Sequence, residues 1–281
     1  LGFAGSTTLF ALLAGVTFAC TIRELFQVEQ RPVVHYRQGF WSSAFSIVRQ
    51  RPFWTYLVGH SLFVCGYYII IVTAPFFTTE IARLPKSMTG VFFLLPMLTA
   101  ILVAPGVERL SLRVGKKPVV LAAMLLFAVL AALWFGIGKD AWSIGSPSLA
   151  EALGWKADWA RTASSGVLLQ AILLMAAVGL PVSVQMLVPP AIVADLVVYD
   201  ERTGGQRRES LVCGLQNGIE KNAVMIATVA VSLALEKGKA AGNPAGIYLV
   251  GPIAALLCLI GCAVFLLYPL RKGWQETPSA R

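Results

Sequence analysis

Charge is what this sequence has least of. Only 13% of its 281 residues are Asp, Glu, Lys or Arg, about half the share found in soluble domains. With 57% hydrophobic residues and a mean hydropathy of +0.73, that scarcity excludes an ordinary soluble domain and places the chain in the membrane class. Chemical motifs are missing too. GxSxG, HExxH and P-loop patterns do not occur, so enzymatic and ATP-driven readings lack a site. The five cysteines, Cys20, Cys65, Cys213, Cys258 and Cys262, show neither CxxC nor zinc-finger spacing. No disulfide framework or metal site is indicated, and they read as small apolar residues of helices.

What the chain does have is apolar length. Seven segments, roughly 2–22, 53–77, 88–107, 117–138, 164–190, 211–235 and 246–269, approach or exceed the ~20 apolar residues needed to cross the hydrocarbon core as a helix. Lipid tolerates no open strand edge, and a barrel would show short alternating segments instead. The first segment is not a signal peptide. It has no basic n-region, and Thr17-Phe18-Ala19-Cys20 is a poor cleavage site. The chain begins at Leu1 rather than Met, which reads as a start inside a longer protein.

The net charge of +9 is distributed by topology, not gathered for nucleic acid. With the C-terminus assigned to the cytoplasm, fifteen of the 23 Lys and Arg fall in inner segments, seven fall outside, and Lys221 sits within a helix. The positive-inside rule supports that orientation. The expected organisation is a last helix of a first half (1–22), a central basic cytoplasmic loop (23–52), a six-helix domain (53–270) and a cytoplasmic tail (271–281). This matches the second part of a twelve-helix transporter built from inverted repeats. A basic connection is expected over 107–118. The outer connection 139–163 carries Trp142, Trp155 and Trp159 as interface anchors, with a short interfacial helix at Ser148–Leu153. Prolines within spans, Pro75, Pro96, Pro105, Pro181, Pro189 and Pro190, predict kinks.

Against this apolar background a few polar residues stand out. In a helix starting near 211, Glu220 and Lys221 lie about 15 Å deep, close to the midplane of a ~30 Å core. Charges there normally face a cavity or a partner. Gln216, Asn217, Glu220 and Lys221 spread over about 140° of the helix, flanked by Gly214 and Gly218, which would permit close helix approach. One polar arc on an apolar helix reads as a cavity wall; the plainer reading is a Glu–Lys pair neutralised within the bundle. Adjacent residues point about 100° apart, which disfavours a tight bridge between those two. His60 and Tyr67 share a face of helix 53–77, with Tyr68 beside them, and Gln185 lies in helix 164–190. Each is a weaker wall candidate whose plainer role is a hydrogen-bonded buried side chain. The stretch 194–209 carries four acids and three arginines. It reads either as a solvated loop or as a gate of exposed ion pairs contributing about 0–1 kcal/mol each.

Three stretches resemble the glycoside–pentoside–hexuronide:cation symporter family of the major facilitator superfamily. Ala194-Asp195, followed by Val198-Tyr199-Asp200-Glu201-Arg202-Thr203-Gly204-Gly205-Gln206-Arg207-Arg208-Glu209, is similar to that family's loop between the tenth and eleventh helices. Gln216 to Lys221 resembles its eleventh-helix pattern of a glutamine, four residues and a lysine. Arg113-x-Gly115-Lys116-Lys117 is similar to its basic loop between the eighth and ninth helices. Val198 replaces an acid and Gly204-Gly205 replaces Thr-Gly, while Glu220 has no counterpart in the pattern. The resemblance covers about residues 1–272 and is of melibiose-permease type, C-terminal half. It implies that Lys221 sits near the cation and substrate sites and takes part in coupling. It also implies that the cation-binding acids lie on early helices of the first half. Family substrates are sugars and glycosides, with lysophospholipid carriers as relatives.

The expectation is therefore an all-α membrane bundle of the major facilitator superfamily, about seven helices, acting as a sodium- or proton-coupled sugar symporter. Lys221, Glu220, Gln216, Asn217, Tyr67, His60 and Gln185 would line the cavity. Asp195, Glu201, Arg207, Arg208, Glu209, Arg113 and Lys116 would form the cytoplasmic gate. No catalytic residue, metal site or cofactor is expected. The partners are a small-molecule substrate and the lipid bilayer, not nucleic acid, and the full-length protein would be a monomer in the cell (inner) membrane. The rivals are an amphiphile symporter of the same family, a non-transporting receptor or scaffold, and a lipid-acting enzyme, for which no nucleophile or acid pair is evident.

Overall fold

A computed structural model describes residues 8, 11, 12, 14–19, 22, 39–81, 89–134, 165–204, 208–240 and 245–269. The chain divides into two compact units, Leu1–Phe40 and Trp41–Arg281. The described residues between 8 and 22 are helical. The second unit is a helical bundle, and no strand occurs among the described residues. Its elements are α1 (Phe40–Val48, whose first residue falls in the first unit), α2 (Arg51–Phe76, continued by a π turn Phe77–Ile81), α3 (Thr89–Val114), α4 (Lys116–Trp134), α5 (Ser165–Gly204), α6 (Glu209–Ala240) and α7 (Ala245–Leu266).

Four stretches, Arg51–Thr79, Phe92–Val114, Lys116–Trp134 and Ala171–Thr203, are long and apolar enough to cross a membrane. Val250–Leu266 of α7 is apolar but shorter. At 32 residues, α6 is about 48 Å long, but it carries Glu220 and Lys221 in mid-course. Local chemistry sets several boundaries. Pro52 falls in the first turn of α2, where a missing N–H costs nothing. Gly115 adopts φ 103° and alone separates α3 from α4, a left-handed conformation that favours glycine.

Several expected loops prove helical. The connection placed at 107–118 is the end of α3, the Gly115 corner and the start of α4. Residues 191–204, expected in a loop, continue α5 past Pro189 and Pro190 to Gly204. The central loop 23–52 contains α1. The first two share a reason: hydropathy marks only the apolar stretch of a helix, and polar residues outside it extend the same backbone; α1 is a separate helix of nine residues, too short to register as a span. The 139–163 connection, with Ser148–Leu153, Trp142, Trp155 and Trp159, lies outside the described residues, as does the tail 271–281.

The packing order is not the chain order. The main partners are α2 with α7 and α6, α3 with α5, and α4 with α7 and α5, with lighter contacts of α3 on α4 and α6 on α7. Exchanging α2 with α5, α3 with α6 and α4 with α7 turns each of these contacts into another of the set or into itself; the light α5–α6 contact is the exception, having no α2–α3 counterpart of similar size. That is the pattern of two interlocked three-helix repeats, and successive spans alternate in direction, so the repeats are inverted. Close approach relies on small residues. A Cβ on Gly59 would meet the Gly261 carbonyl at 3.0 Å, and one on Gly66 would meet Cys258 Sγ at 2.6 Å, both in the α2–α7 seam. Gly179 of α5 lies equally tight on Pro96 and Thr99 of α3. Gly214 and Gly218 do not have the expected role: nothing lies within 4 Å of a Cβ built on either.

Candidate functional site

Where α2, α5 and α6 meet, the apolar interior is interrupted by polar side chains. His60 of α2 is 2% exposed, and its Nε2 lies 3.6 Å from Glu220 Oε2 of α6 and 3.5 Å from Gln185 Nε2 of α5. Gln216, one turn before Glu220, donates its amide to Glu220 Oε2 at 3.2 Å. Tyr56 stacks on the His60 ring at 5.2 Å between centroids, its own edge backed by Phe265 of α7. The Tyr56 hydroxyl is buried and has no hydrogen-bond partner among the described residues. His60 lies nine residues into α2 and Glu220 eleven into α6, each about 15 Å along its helix. A carboxylate at that depth is tolerated because a histidine and an amide surround it.

Four of the seven nominated cavity residues, His60, Gln185, Gln216 and Glu220, therefore converge. Lys221 and Asn217 do not join them; both are exposed. They continue an exposed stripe along α6 that also holds Ser210, Gly214 and Ser232, about 60° wide at 100° per residue. Such a stripe is costly against lipid and suits a water-filled cavity or a second bundle. Glu220 stands at its margin, its side chain 18% exposed, so the half-buried cluster opens onto this face.

Tyr67 lies two turns beyond His60 on α2, about 10 Å away along the axis, and serves a different environment. With Ile70, Ile71, Ala74, Phe93, Met175 and neighbouring apolar residues of α2, α3 and α5 it lines a cavity of about 150 Å³. Its ring also meets Tyr68 and Phe127 edge-on.

At the end of the bundle where α2 begins, two ion pairs join different elements. Lys116 binds Asp195 Oδ2 at 2.6 Å and the Ala191 carbonyl at 2.9 Å, tying α4 to α5. Lys117 donates to the Leu266 and Tyr268 carbonyls at the end of α7. Arg208 engages both oxygens of Asp200, Nε to Oδ2 at 2.9 Å, and reaches α1 through Ser46 Oγ at 2.9 Å and the Ser43 carbonyl. Gln50 completes the group by donating to Asp200 Oδ1 at 2.7 Å.

Asp200 is 1% and Arg208 6% exposed, so this pair corrects the expectation of solvated loop charges. It is a buried, bidentate, charge-assisted contact. Neither Asp200 as its centre nor the contribution of α1 was nominated. Asp200 does stand eight residues before Arg208, and the helical continuation of α5 is what brings the two together. Glu201, Glu209 and Arg113 are exposed, and Arg207 lies outside the described residues.

The cysteines behave as packing residues. Cys258 is buried in the α2–α7 seam, and Cys65 Sγ donates to the Ala223 carbonyl at 3.1 Å, joining α2 to α6. Cys20 lies outside the described residues. Among the described residues no group of His, Cys, Asp and Glu could hold a metal ion.

Over residues 2–270 the sequence matches the family described as MFS/sugar transport protein. No curated protein and no solved structure matches it.

Proposed function

The chain belongs to the MFS/sugar transport protein family and is a major facilitator superfamily transporter; from that premise we propose that it takes part in cation-coupled symport of a sugar or glycoside by alternating access. One observation carries the reading: a cluster of the buried His60 with the half-buried Glu220, Gln185 and Gln216, drawn from three helices, opens onto an exposed polar stripe of α6. A static bundle gains nothing from placing an acid at that depth, whereas a cavity for a hydroxyl-rich substrate needs such groups. The two interlocked three-helix repeats are the architecture of one half of such a transporter. The α6 stripe would then face the other half across a central cavity. In this reading Lys221 and Asn217 reach substrate or cation from the stripe. The corner held by Asp200, Arg208, Asp195 and Lys116 forms the cytoplasmic side of the gate. The protein resides in the inner membrane with its C-terminus in the cytoplasm, works as a monomer and carries no cofactor beyond the coupling ion.

A second reading is favoured by the apolar cavity beside Tyr67. Its volume of about 150 Å³ is comparable to an engineered cavity that holds benzene, which suits a substrate with an apolar group, such as an aryl glycoside or another amphiphile. Uptake by the full-length protein in vesicles, with sodium or proton gradients imposed and then collapsed, tests the proposal. Gradient-dependent accumulation of a glycoside is the expected result, and accumulation of an amphiphile alone selects the second reading. No accumulation of either by well-folded protein leaves a receptor or scaffold.

A further inference from the structure

Among the described residues, one group deep in the bundle combines a histidine with a carboxylate on a different helix. We propose that the His60–Glu220 pair is a proton-binding site, and that a proton held there is the coupling ion of this transporter. The inference rests on the symport reading above and deepens it by naming the ion and where it binds; it departs from the first-half cation site that the family resemblance implies.

The chemistry of the pair discriminates between cations. Hard cations such as sodium are held by several oxygens. Here the neighbours of Glu220 Oε2 are nitrogens, the Gln216 amide at 3.2 Å and the His60 imidazole at 3.6 Å. An imidazole is a poor alkali-metal ligand but binds a proton in the neutral range. The same Nε2 lies 3.5 Å from the Gln185 side-chain amide, which can turn to accept from a protonated ring or donate to a neutral one. The proton balance is simple. Uptake of H⁺ at His60 Nε2 gives an imidazolium facing the Glu220 carboxylate, a pair of zero net charge. Release of H⁺ to the opposite side leaves neutral imidazole beside a single carboxylate charge, with Lys221 one residue along the helix.

The surroundings from each packed helix are accounted for. From α2 comes Tyr56, stacked on the ring with its hydroxyl unpaired. From α5 comes the neutral Gln185. From α6 come Gln216, Lys221 and, nearer Tyr56, Cys213. From α7 and the residues after it come Phe265 and Tyr268. None of these supplies a second carboxylate to compete for the proton.

Loading also has a mechanical consequence. The ion pair joins α2 to α6 across a packed seam whose other polar contact among the described residues is the Cys65 thiol to the Ala223 carbonyl. Protonation tightens that seam and release loosens it, as a coupled rocking motion requires.

Two measurements on the full-length protein test this. The first needs no substrate: proton binding by purified protein is followed with a pH-indicating dye. Wild type is expected to bind one proton in the neutral range that His60→Gln lacks. Glu220→Gln should weaken proton binding by the protein, because it removes the anion that the imidazolium would face. The exchanged pair His60→Glu with Glu220→His keeps both groups together and should restore the titration, which separates site loss from misfolding. A flat difference between wild type and His60→Gln from about pH 5 to 8 overturns the proposal.

The second measurement is uptake of 4-nitrophenyl and methyl glycosides into vesicles. One proton coupled to a one-unit pH gradient supports accumulation up to about tenfold. Both single variants should fall to simple equilibration and lose the pH dependence of uptake. Accumulation driven by sodium alone overturns the coupling inference and leaves symport standing, as does proton-driven accumulation undiminished in both variants. Absence of any gradient-driven accumulation in wild type overturns symport and the coupling inference together.

Discussion

Replacing Arg208 by methionine keeps the length and most of the volume of the side chain but removes its charge from a carboxylate that water does not reach. Asp200 is 1% exposed and, among the described residues, would retain the Gln50 amide at 2.7 Å as its side-chain partner. Breaking a buried pair from one side costs about 3–5 kcal/mol, because the surviving charge is left uncompensated. That is a third or more of the stability of many domains. Changing both residues, Arg208→Met with Asp200→Leu, removes the charge altogether and should recover most of the loss, since apolar replacement of a buried pair is often neutral or stabilising. The assay is a double-mutant cycle on the unfolding free energy of the full-length protein in mild detergent titrated with denaturing detergent. Two results would refute the reasoning. One is an Arg208→Met cost of about 1 kcal/mol or less, the behaviour of an exposed pair. The other is a double variant no more stable than the single one.

Other outcomes follow from the same geometry. Gly66→Ala places a Cβ 2.6 Å from Cys258 Sγ and 2.8 Å from the Ala254 carbonyl, and should cost about 1–3 kcal/mol of stability through overpacking. Adding Cys258→Ala should return part of it, as unfolding of the pair of variants would show. Gly218→Ala meets open space and should be neutral or stabilising by up to about 1 kcal/mol, for lack of a clash and better helix propensity. Lys221→Ala, at an exposed position, should leave the amount of folded protein unchanged while abolishing gradient-driven uptake; normal coupled transport would remove Lys221 from the site. Val178→Phe fills the cavity beside Tyr67 and should weaken inhibition by aryl glycosides far more than by methyl glycosides in competition uptake.

The fold class was legible because hydropathy reports burial in lipid directly, and the polar cluster was legible for the converse reason. His60, Gln185, Gln216 and Glu220 are conspicuous in apolar helices, and a polar group at depth must find partners. What the periodicity left open is which edge of the α6 arc turns inward. Gln216 and Glu220 pack against α2 and α5, while Asn217 and Lys221, about 60–140° further round, stay outside. The buried Asp200–Arg208 pair was hidden by a boundary error. With 191–204 expected to be a loop, its charges looked solvated; as the last turns of α5 they fold against α1 and the start of α6. No hydropathy signal marks a helix that leaves the apolar layer and keeps going.

The exchange that relates the two repeats explains why the polar cluster and the apolar cavity lie where they do. Both are built on α2 and α5, the first helices of their repeats. His60 and Gln185 supply one, and Tyr67, Ile70, Met175 and Val178 the other. The difference lies in the helix that completes each: α6 closes the cluster with Gln216 and Glu220, and its counterpart α3 closes the cavity with Phe93, Pro96 and Met97. A symmetric scaffold thus carries an asymmetric pair of walls, since α6 presents polar and charged side chains to its neighbours and α3 presents aromatic, proline and thioether ones. Movement of one repeat against the other would shift α6 relative to α2 and α3 relative to α5, which belong to opposite repeats. It therefore works on the His60–Glu220 contact and on the cavity wall at once. A substrate that touched both walls would feel the two ends of its binding energy change in the same step, and alternating access asks for that coincidence.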